Sequence, residues 1–480
     1  MEKPAEPGWV PVWADAAGCA SRRDLGPILR PRSVAIVGAS NSAAKFGSFF
    51  TRCFLEMGFA RLYPVNPHET EILGMKAYPR VSDVPDEVDL AFIVTAAETV
   101  LPIVEDCGRK GVKGIVIYSS GFAEKGPEGL LLQQQIVSVA RAHGARIIGP
   151  NCMGIYSPKQ KLSYYPGLPK QSGPIAMVSH SGSLSVYLVE MAKAKGLYFD
   201  TVVSCGNEAD ITSVDLLEYF GEDPEVRVIV AYLEGVKDGR RFLRLAKEVS
   251  RRKPIIVLKG GMTDQGGQAA GSHTGAMAGS GRVWKAVFEQ TGIIANDSIQ
   301  EAVDTLVACC DLPLPKGPRL AIVTGPGGPG VLAADACIEQ GLELAPLSSA
   351  TRARLSELVP SVGTSLRNPV DLGMTSNNEP EMYRTAIETL STEPGVDAIL
   401  AIGSADRPFA EVMSSVRQSI DKPLLVAGLL PPESYPEGYL YLAAQGVAAY
   451  PDAHRAVVAL AKLYRYAVTV NERSRESGAA

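Results

Sequence analysis

Histidine and tryptophan are scarce in this chain, with five and three residues among 480. Cysteine occurs eight times, as Cys19, Cys53, Cys107, Cys152, Cys205, Cys309, Cys310 and Cys337, and never as C-x-x-C. That excludes a C-x-x-C redox motif, and the apolar neighbours of most of these residues read as buried thiols. The few histidines show no metal-ligand spacing, so no metal is expected on this chain. No apolar run reaches transmembrane length, and no secretory leader pattern opens the sequence. A cytoplasmic location without membrane contact is therefore expected. Positive charge is not in excess: Lys and Arg number 47, Asp and Glu 52, for a net charge of −5. The short basic runs Arg22-Arg23, Arg240-Arg241 and Arg251-Arg252-Lys253 read as solvated faces, which argues against nucleic acid as a partner.

What is present is an α/β rhythm. The length suggests roughly three domains of about 150 residues each. Residues 1–23 are Pro-, Ala- and Gly-rich and read as a loose N-terminal extension. Short β-rich runs follow at 33–37, 62–65, 90–94, 114–118 and 146–149, separated by amphipathic stretches such as 100–110 and 130–143. Near-continuous Val/Ile strands with helical spacers imply parallel sheets covered on both faces. The rhythm restarts at Pro174 and again at Arg319, each time as strand, Gly/Ser turn and helix. The expected division is 24–155, 156–313 and 317–468, with the Pro-rich linker 311–318 between the last two and a polar tail at 469–480.

Several stretches carry chemistry. In Gly271-Ser272-His273-Thr274-Gly275-Ala276 small residues flank a histidine that packing does not require. They allow close approach by a phosphoryl group, so His273 is the candidate phosphoryl carrier. Val178-Ser179-His180-Ser181-Gly182-Ser183 ends a strand and opens a helix. It reads as a phosphate cradle at a positive helix end, with simple N-capping by Ser181 or Ser183 as the alternative. Its spacing is not that of a G-x-S-x-G serine nucleophile. Glu234 ends an apolar strand, where α/β sites lie, and can accept from the imidazole Nδ1–H of His273; a surface turn carboxylate is the alternative. Gly206-Asn207-Glu208-Ala209-Asp210 is a second polar strand end of open role.

The turn from Gly38 to Gly47 suits a phosphate-bearing nucleotide. Val65-Asn66-Pro67-His68 lacks the acidic residue that would bind a nicotinamide ribose. Gly325-Pro326-Gly327-Gly328-Pro329-Gly330 matches G-x-G-x-x-G and has Glu343 downstream, but Pro329 removes a donor near the helix start. A structural or phosphate-lining turn is expected there rather than a dinucleotide site. His68, His143 and His454 receive no function.

Taken together, Ser33–Ser40, Tyr63–Pro67, Gly149–Gly154, Val178–Gly182, Leu233–Arg240, Ser272–Gly275, Gly327–Gly330 and Asn368–Leu372 resemble the motifs of the NDP-forming acyl-CoA synthetases, in family order. The resemblance implies a CoA-binding Rossmann-like domain followed by two flavodoxin-like ligase domains. It also implies reversible conversion of acyl-CoA, phosphate and ADP into carboxylic acid, CoA and ATP through an acyl phosphate and a phosphohistidine. On that pattern His273 is the phosphorylated residue, Glu234 orients it, and Ser181, Gly182 and Ser183 hold the phosphoryl group. CoA is expected on Gly38, Ala39, Ser40, Lys45, Val65, Asn66, Pro67, Thr95, Ser119, Ser120 and Gly121. Substrate is expected on Asn151, His180, Asn207 and Glu208. The family usually has Gln where His180 stands, so a titrating group there is expected to make activity more pH-dependent. Nothing resembles an ATP-grasp domain. The resemblance is therefore to a separate α subunit, with ATP or ADP and Mg²⁺ on a β partner in an α2β2-type hetero-oligomer. Alternatives are a CoA-binding regulatory protein and, on the Gly325 turn, a nicotinamide oxidoreductase.

Overall fold

The computed structural model describes residues 25–268, 280–359, 364–377 and 379–476. Its strands are short and apolar on both faces. Val34–Val37, Gly114–Ile117 and Ile255–Lys259 are buried at every position, as parallel strands sandwiched between helices must be. The first sheet runs Leu62–Val65, Val34–Val37, Leu90–Ile93, Gly114–Ile117, Arg146–Ile148, all parallel. The second runs Phe199–Ser204, Ile175–Ser179, Val228–Leu233, Ile255–Lys259, Ile294–Asn296. The third runs Glu343–Leu344, Arg319–Thr324, Ala398–Gly403, Leu424–Gly428, Ala448–Tyr450, and Val370–Asp371 also pairs with Arg319–Thr324.

In chain order each main path is thus 2-1-3-4-5, the flavodoxin-like order. Its reversal between the first and third strands opens a crevice at their carboxyl ends. These are the α/β, doubly wound units expected from the sequence. The strand Gly154–Tyr156 pairs antiparallel with Phe199–Ser204 on the second sheet, so a division at residue 155 falls inside a strand. The final helix, Ala453–Glu476, continues through most of the segment expected to be a tail. No helix among the described residues is long and apolar enough to cross a membrane.

One apolar cluster continues from Phe50 and Phe92 in the first unit through Ile175 and Val230 in the second to Tyr450 and Leu460 in the third. Buried carboxylates reinforce the seams through ion pairs. Asp210 accepts from Arg141 Nε at 2.8 Å, Arg146 Nε at 2.8 Å and the Ile147 N–H at 2.8 Å. Asp304 takes a bidentate pair from Arg455 at 2.6 and 2.7 Å.

Candidate active site at the seam of the first two sheets

The strand Val34–Val37 ends at Gly38, whose φ of +90° suits a residue without Cβ. A Cβ there would lie 2.8 Å from Thr95 Cγ2. The following helix, Phe46–Met57, packs its Gly47 so closely that a Cβ would lie 1.9 Å from the Gly38 carbonyl oxygen. Beside this turn lies a cavity of about 610 Å³, walled in part by Gly38, Lys45, Val65, Asn66, Pro67 and Thr95. Six of the eleven residues expected to hold CoA therefore meet at one hollow. His68 lines it too, although its sequence context suggests no role. Its backbone N–H is held by Asn66 Oδ1 at 2.9 Å, while Asn66 Nδ2 ties back to the Ala39 carbonyl at 2.8 Å.

A second cavity, of about 520 Å³, shares Val94, Thr95 and Ala96 with the first. Ser119, Ser120 and Asn151 line it from one side, and His180, Ser181, Gly182 and Ser183 from the other. Ala39, Ser40 and Gly121 are in neither wall. Ala39 is fully buried, the Ser40 hydroxyl accepts from the Ser42 N–H at 3.1 Å, and the Gly121 N–H donates to Glu124. These three shape the turns behind the cavity.

The far wall is the start of the helix Gly182–Lys193. Ser181 is its N-cap, accepting from the Leu184 N–H at 3.3 Å, so capping and a place in the cavity wall coexist. Gly182 admits no side chain, because a Cβ would lie 2.0 Å from Met153 Cγ. The first-turn amides of a helix attract anions.

His180 is 6 % exposed and both ring nitrogens are engaged. Nδ1 accepts from the Glu234 N–H at 3.1 Å, which makes Nε2 the protonated nitrogen, and Nε2 meets Glu208 Oε1 at 3.0 Å. Cys205 completes a buried His-Cys-Glu trio whose ligand atoms lie within 4.8 Å. A metal would need the Nε2 lone pair, but that nitrogen carries the hydrogen, so the trio fits a hydrogen-bonded cluster rather than a metal site. His180 lines the second cavity, but neither ring nitrogen is left to bond a ligand there.

Glu208 is likewise turned inward, accepting also from the Ser213 N–H. Burial opposes its ionisation, but the hydrogen bonds from His180 and Ser213 and the charge of Lys237 outweigh it and hold the carboxyl at about 2. Asn207 spends its amide on Glu124 at 2.6 Å and Gln133 at 3.1 Å. Neither residue is in the cavity wall; both brace it, and direct substrate binding by either finds no support in the geometry.

Glu234 follows the strand Val228–Leu233 at the crevice of the second sheet. It is 5 % exposed and takes the Tyr232 hydroxyl on Oε1 at 3.1 Å. Lys259, on the adjacent strand, donates to the Glu234 carbonyl at 2.8 Å and lies 5.0 Å from the centre of the Trp284 ring. Burial lowers this ammonium to about 8, against the pull of Glu234. Lys259 escapes sequence reading because a lysine closing an apolar strand looks like an ordinary surface residue.

His273 lies outside the described residues. The chain on either side of it is placed, however. A Cβ on Gly260 would lie 3.5 Å from Glu234 Cγ, and one on Gly281 would lie 2.2 Å from the Met262 carbonyl oxygen. Gly260 thus lies beside Glu234, and Gly281 packs on Met262. The Gly325 turn lines neither cavity; it opens the helix Gly327–Glu339, with Gly327 tight against Asp371.

Comparison with known proteins follows the same three-part plan. Residues 32–158 match the CoA binding domain, residues 172–309 the succinyl-CoA ligase like flavodoxin domain, and residues 320–473 the ligase-CoA domain. Acetate–CoA ligase [ADP-forming] I subunit alpha of Pyrococcus furiosus is 39 % identical over 454 residues, covering 92 % of this chain and 97 % of that protein. Acetate–CoA ligase [ADP-forming] I of Archaeoglobus fulgidus is 38 % identical over 450 residues, covering 93 % of this chain and 64 % of that longer protein. The solved dinucleotide forming acetyl-coenzyme A synthetase 1 of Ca. Korarchaeum cryptofilum, in complex with phosphate and ADP, superposes with a TM-score of 0.87 at 35 % identity, covering 95 % of this chain and 99 % of that one. With this coverage by family models and relatives, the chain belongs to the ADP-forming acyl-CoA synthetase family.

Proposed function

We propose that this chain is the α subunit of an ADP-forming acid–CoA ligase that interconverts acyl-CoA, phosphate and ADP with carboxylic acid, CoA and ATP, using His273 as the phosphoryl carrier. The observation that carries the reading is the pair of adjacent cavities that share the Val94–Ala96 wall. One end meets the Gly38–Lys45 turn, and the other meets the helix start at Ser181–Ser183. The hollow at the turn suits the nucleotide part of CoA, and the thioester end would then reach the second cavity.

There, phosphate attacks the thioester carbonyl. The C–S bond breaks, CoA leaves as the thiol after taking a proton, and acyl phosphate remains. The Nε2 lone pair of His273 next attacks phosphorus, the P–O bond to the acyl group breaks, and the carboxylate departs. Glu234 accepts the Nδ1–H of that ring, fixing the tautomer and supporting the positive charge that develops. The helix start at Ser181–Ser183 offsets the phosphoryl charge. His180 and Glu208 hold the Glu234 turn in place. Transfer to ADP completes the cycle on a β partner, in an α2β2-type assembly, with Mg²⁺ expected beside the nucleotide. The similarity to a subunit named alpha supports a β partner.

The test is labelling. Radioactive phosphate plus acyl-CoA should label the wild-type chain acid-labilely, and His273→Asn should abolish the label; equal labelling of the mutant would falsify the relay. Glu234→Gln should slow labelling by about 10²-fold, the lower end of what a positioned proton acceptor contributes. ATP formation should require an added β subunit, and full activity from this chain alone would overturn the split.

A further inference from the structure

Glu124 lines neither cavity, yet it ties two pieces of the second cavity's wall together. It stands in the short turn Ala123–Lys125 of the first unit. Its Oε1 accepts from the Gly121 N–H at 2.5 Å and the Phe122 N–H at 3.1 Å. Its Oε2 accepts from the Asn207 side-chain amide, in the second unit, at 2.6 Å. Gly121 directly follows Ser119 and Ser120, which line the second cavity. Asn207 reaches the same wall from the other side: its Oδ1 accepts from the Asn151 amide at 3.4 Å, and Asn151 is a lining residue.

Both oxygens of Glu124 are needed as acceptors. Burial opposes its ionisation, but the Gly121 N–H and the Asn207 amide outweigh it and hold the carboxyl below its usual range. A carboxylate can accept at both ends, whereas the isosteric glutamine must turn an NH₂ towards one of the two donors. The neighbouring cluster does not depend on this contact. Lys237 donates to the Asn207 carbonyl at 2.9 Å and to the Glu208 carbonyl at 2.5 Å. Glu208 holds His180, and His180 takes the Glu234 N–H. Glu234 thus stays braced whatever stands at position 124.

We infer that Glu124 is a positioning residue for the acyl half of the reaction, locking the Ser119–Gly121 turn of the first unit to Asn207 of the second so that the thioester meets phosphate in register. The inference rests on the proposed function, and it leaves phosphoryl exchange between His273 and the nucleotide independent of Glu124.

The experiment labels the full-length chain, with its β partner, by two routes. One uses radioactive phosphate with whichever of acetyl-CoA, phenylacetyl-CoA and succinyl-CoA labels the wild type fastest; the other uses γ-labelled ATP. Glu124→Gln should slow the acyl-CoA route by about 10- to 100-fold, the cost of misplaced reactants, and leave the ATP route unchanged. Asn207→Asp, which sets carboxylate against carboxylate, should show the same split and supplies the reading if the first variant does not fold. Combining the two reverses donor and acceptor across the seam, and the acyl-CoA route should recover most of its rate. Equal slowing of both routes, an unslowed acyl-CoA route, or a double variant no faster than the single ones overturns the inference. A wild-type chain that no acyl-CoA labels overturns instead the reaction on which it rests.

Discussion

At the residue scale, His180 is the hinge between two strand ends. It receives the Glu234 N–H and donates to Glu208. His180→Ala should cost about 3 kcal/mol, because it strands a buried carboxylate, and chemical denaturation will measure it. The acid limb of stability reports the same cluster. The Glu208 carboxyl stands at about 2 in the fold against 4.5 ordinarily. Because the folded value is the lower one, the contribution is complete above the unfolded value and fades as pH falls from about 4.5 towards 2. Glu208→Gln should flatten the melting temperature across that window; an unchanged pH dependence would contradict it. The thiols give a simpler forecast. Burial, aided by nearby acidic side chains, pushes Cys53 and Cys310 up to about 12. Alkylation at pH 8 should therefore miss both in the native protein and reach them on unfolding, as read by mass spectrometry. Glu234, Ser181 and His180 were legible in the sequence as polar residues closing apolar strands. The state of His180 was not, since the partners that claim its two nitrogens come from strand ends 28 and 54 residues away. Phe46, Tyr118 and Met153, which line the second cavity, were equally hidden: an apolar side chain lining a hollow has the same sequence signature as one in a core.

At the element scale, glycines separate contact from freedom. Gly47 seats its helix on the Gly38 carbonyl, where a Cβ would lie 1.9 Å away. Gly47→Ala should destabilise by about 2–3 kcal/mol through overpacking and weaken CoA binding at the turn. Gly239 opens the helix Gly239–Val249, and a Cβ there would meet nothing within 4 Å. Gly239→Ala should instead stabilise by about 0.4–1 kcal/mol by restricting the unfolded chain. Thermal melts of the two variants should move in opposite directions. The near-continuous apolar strands and the two restarts of the rhythm were readable because a strand buried on both faces must be apolar throughout. Gly154–Tyr156, Ile294–Asn296 and Ala448–Tyr450 have only three residues each, too few to show a period. Their places at sheet edges depend on partners that local pattern does not encode.

At the scale of the whole molecule, the three units are joined by buried charge as well as apolar contact. Arg455 from the last helix satisfies Asp304 in the second unit, and Lys462 adds a bond to Asn296 Oδ1 at 2.9 Å. Arg455→Ala should cost about 2–3 kcal/mol and split one calorimetric transition into two as the third unit loosens first. A single unsplit endotherm would argue that the apolar seam alone suffices. The wall Val94–Ala96, common to both cavities, has a different implication. Two short molecules, each cut to one chamber, would not contest the same room and could lodge side by side. A tether laid over those three residues would turn their separate weak grips into one strong hold.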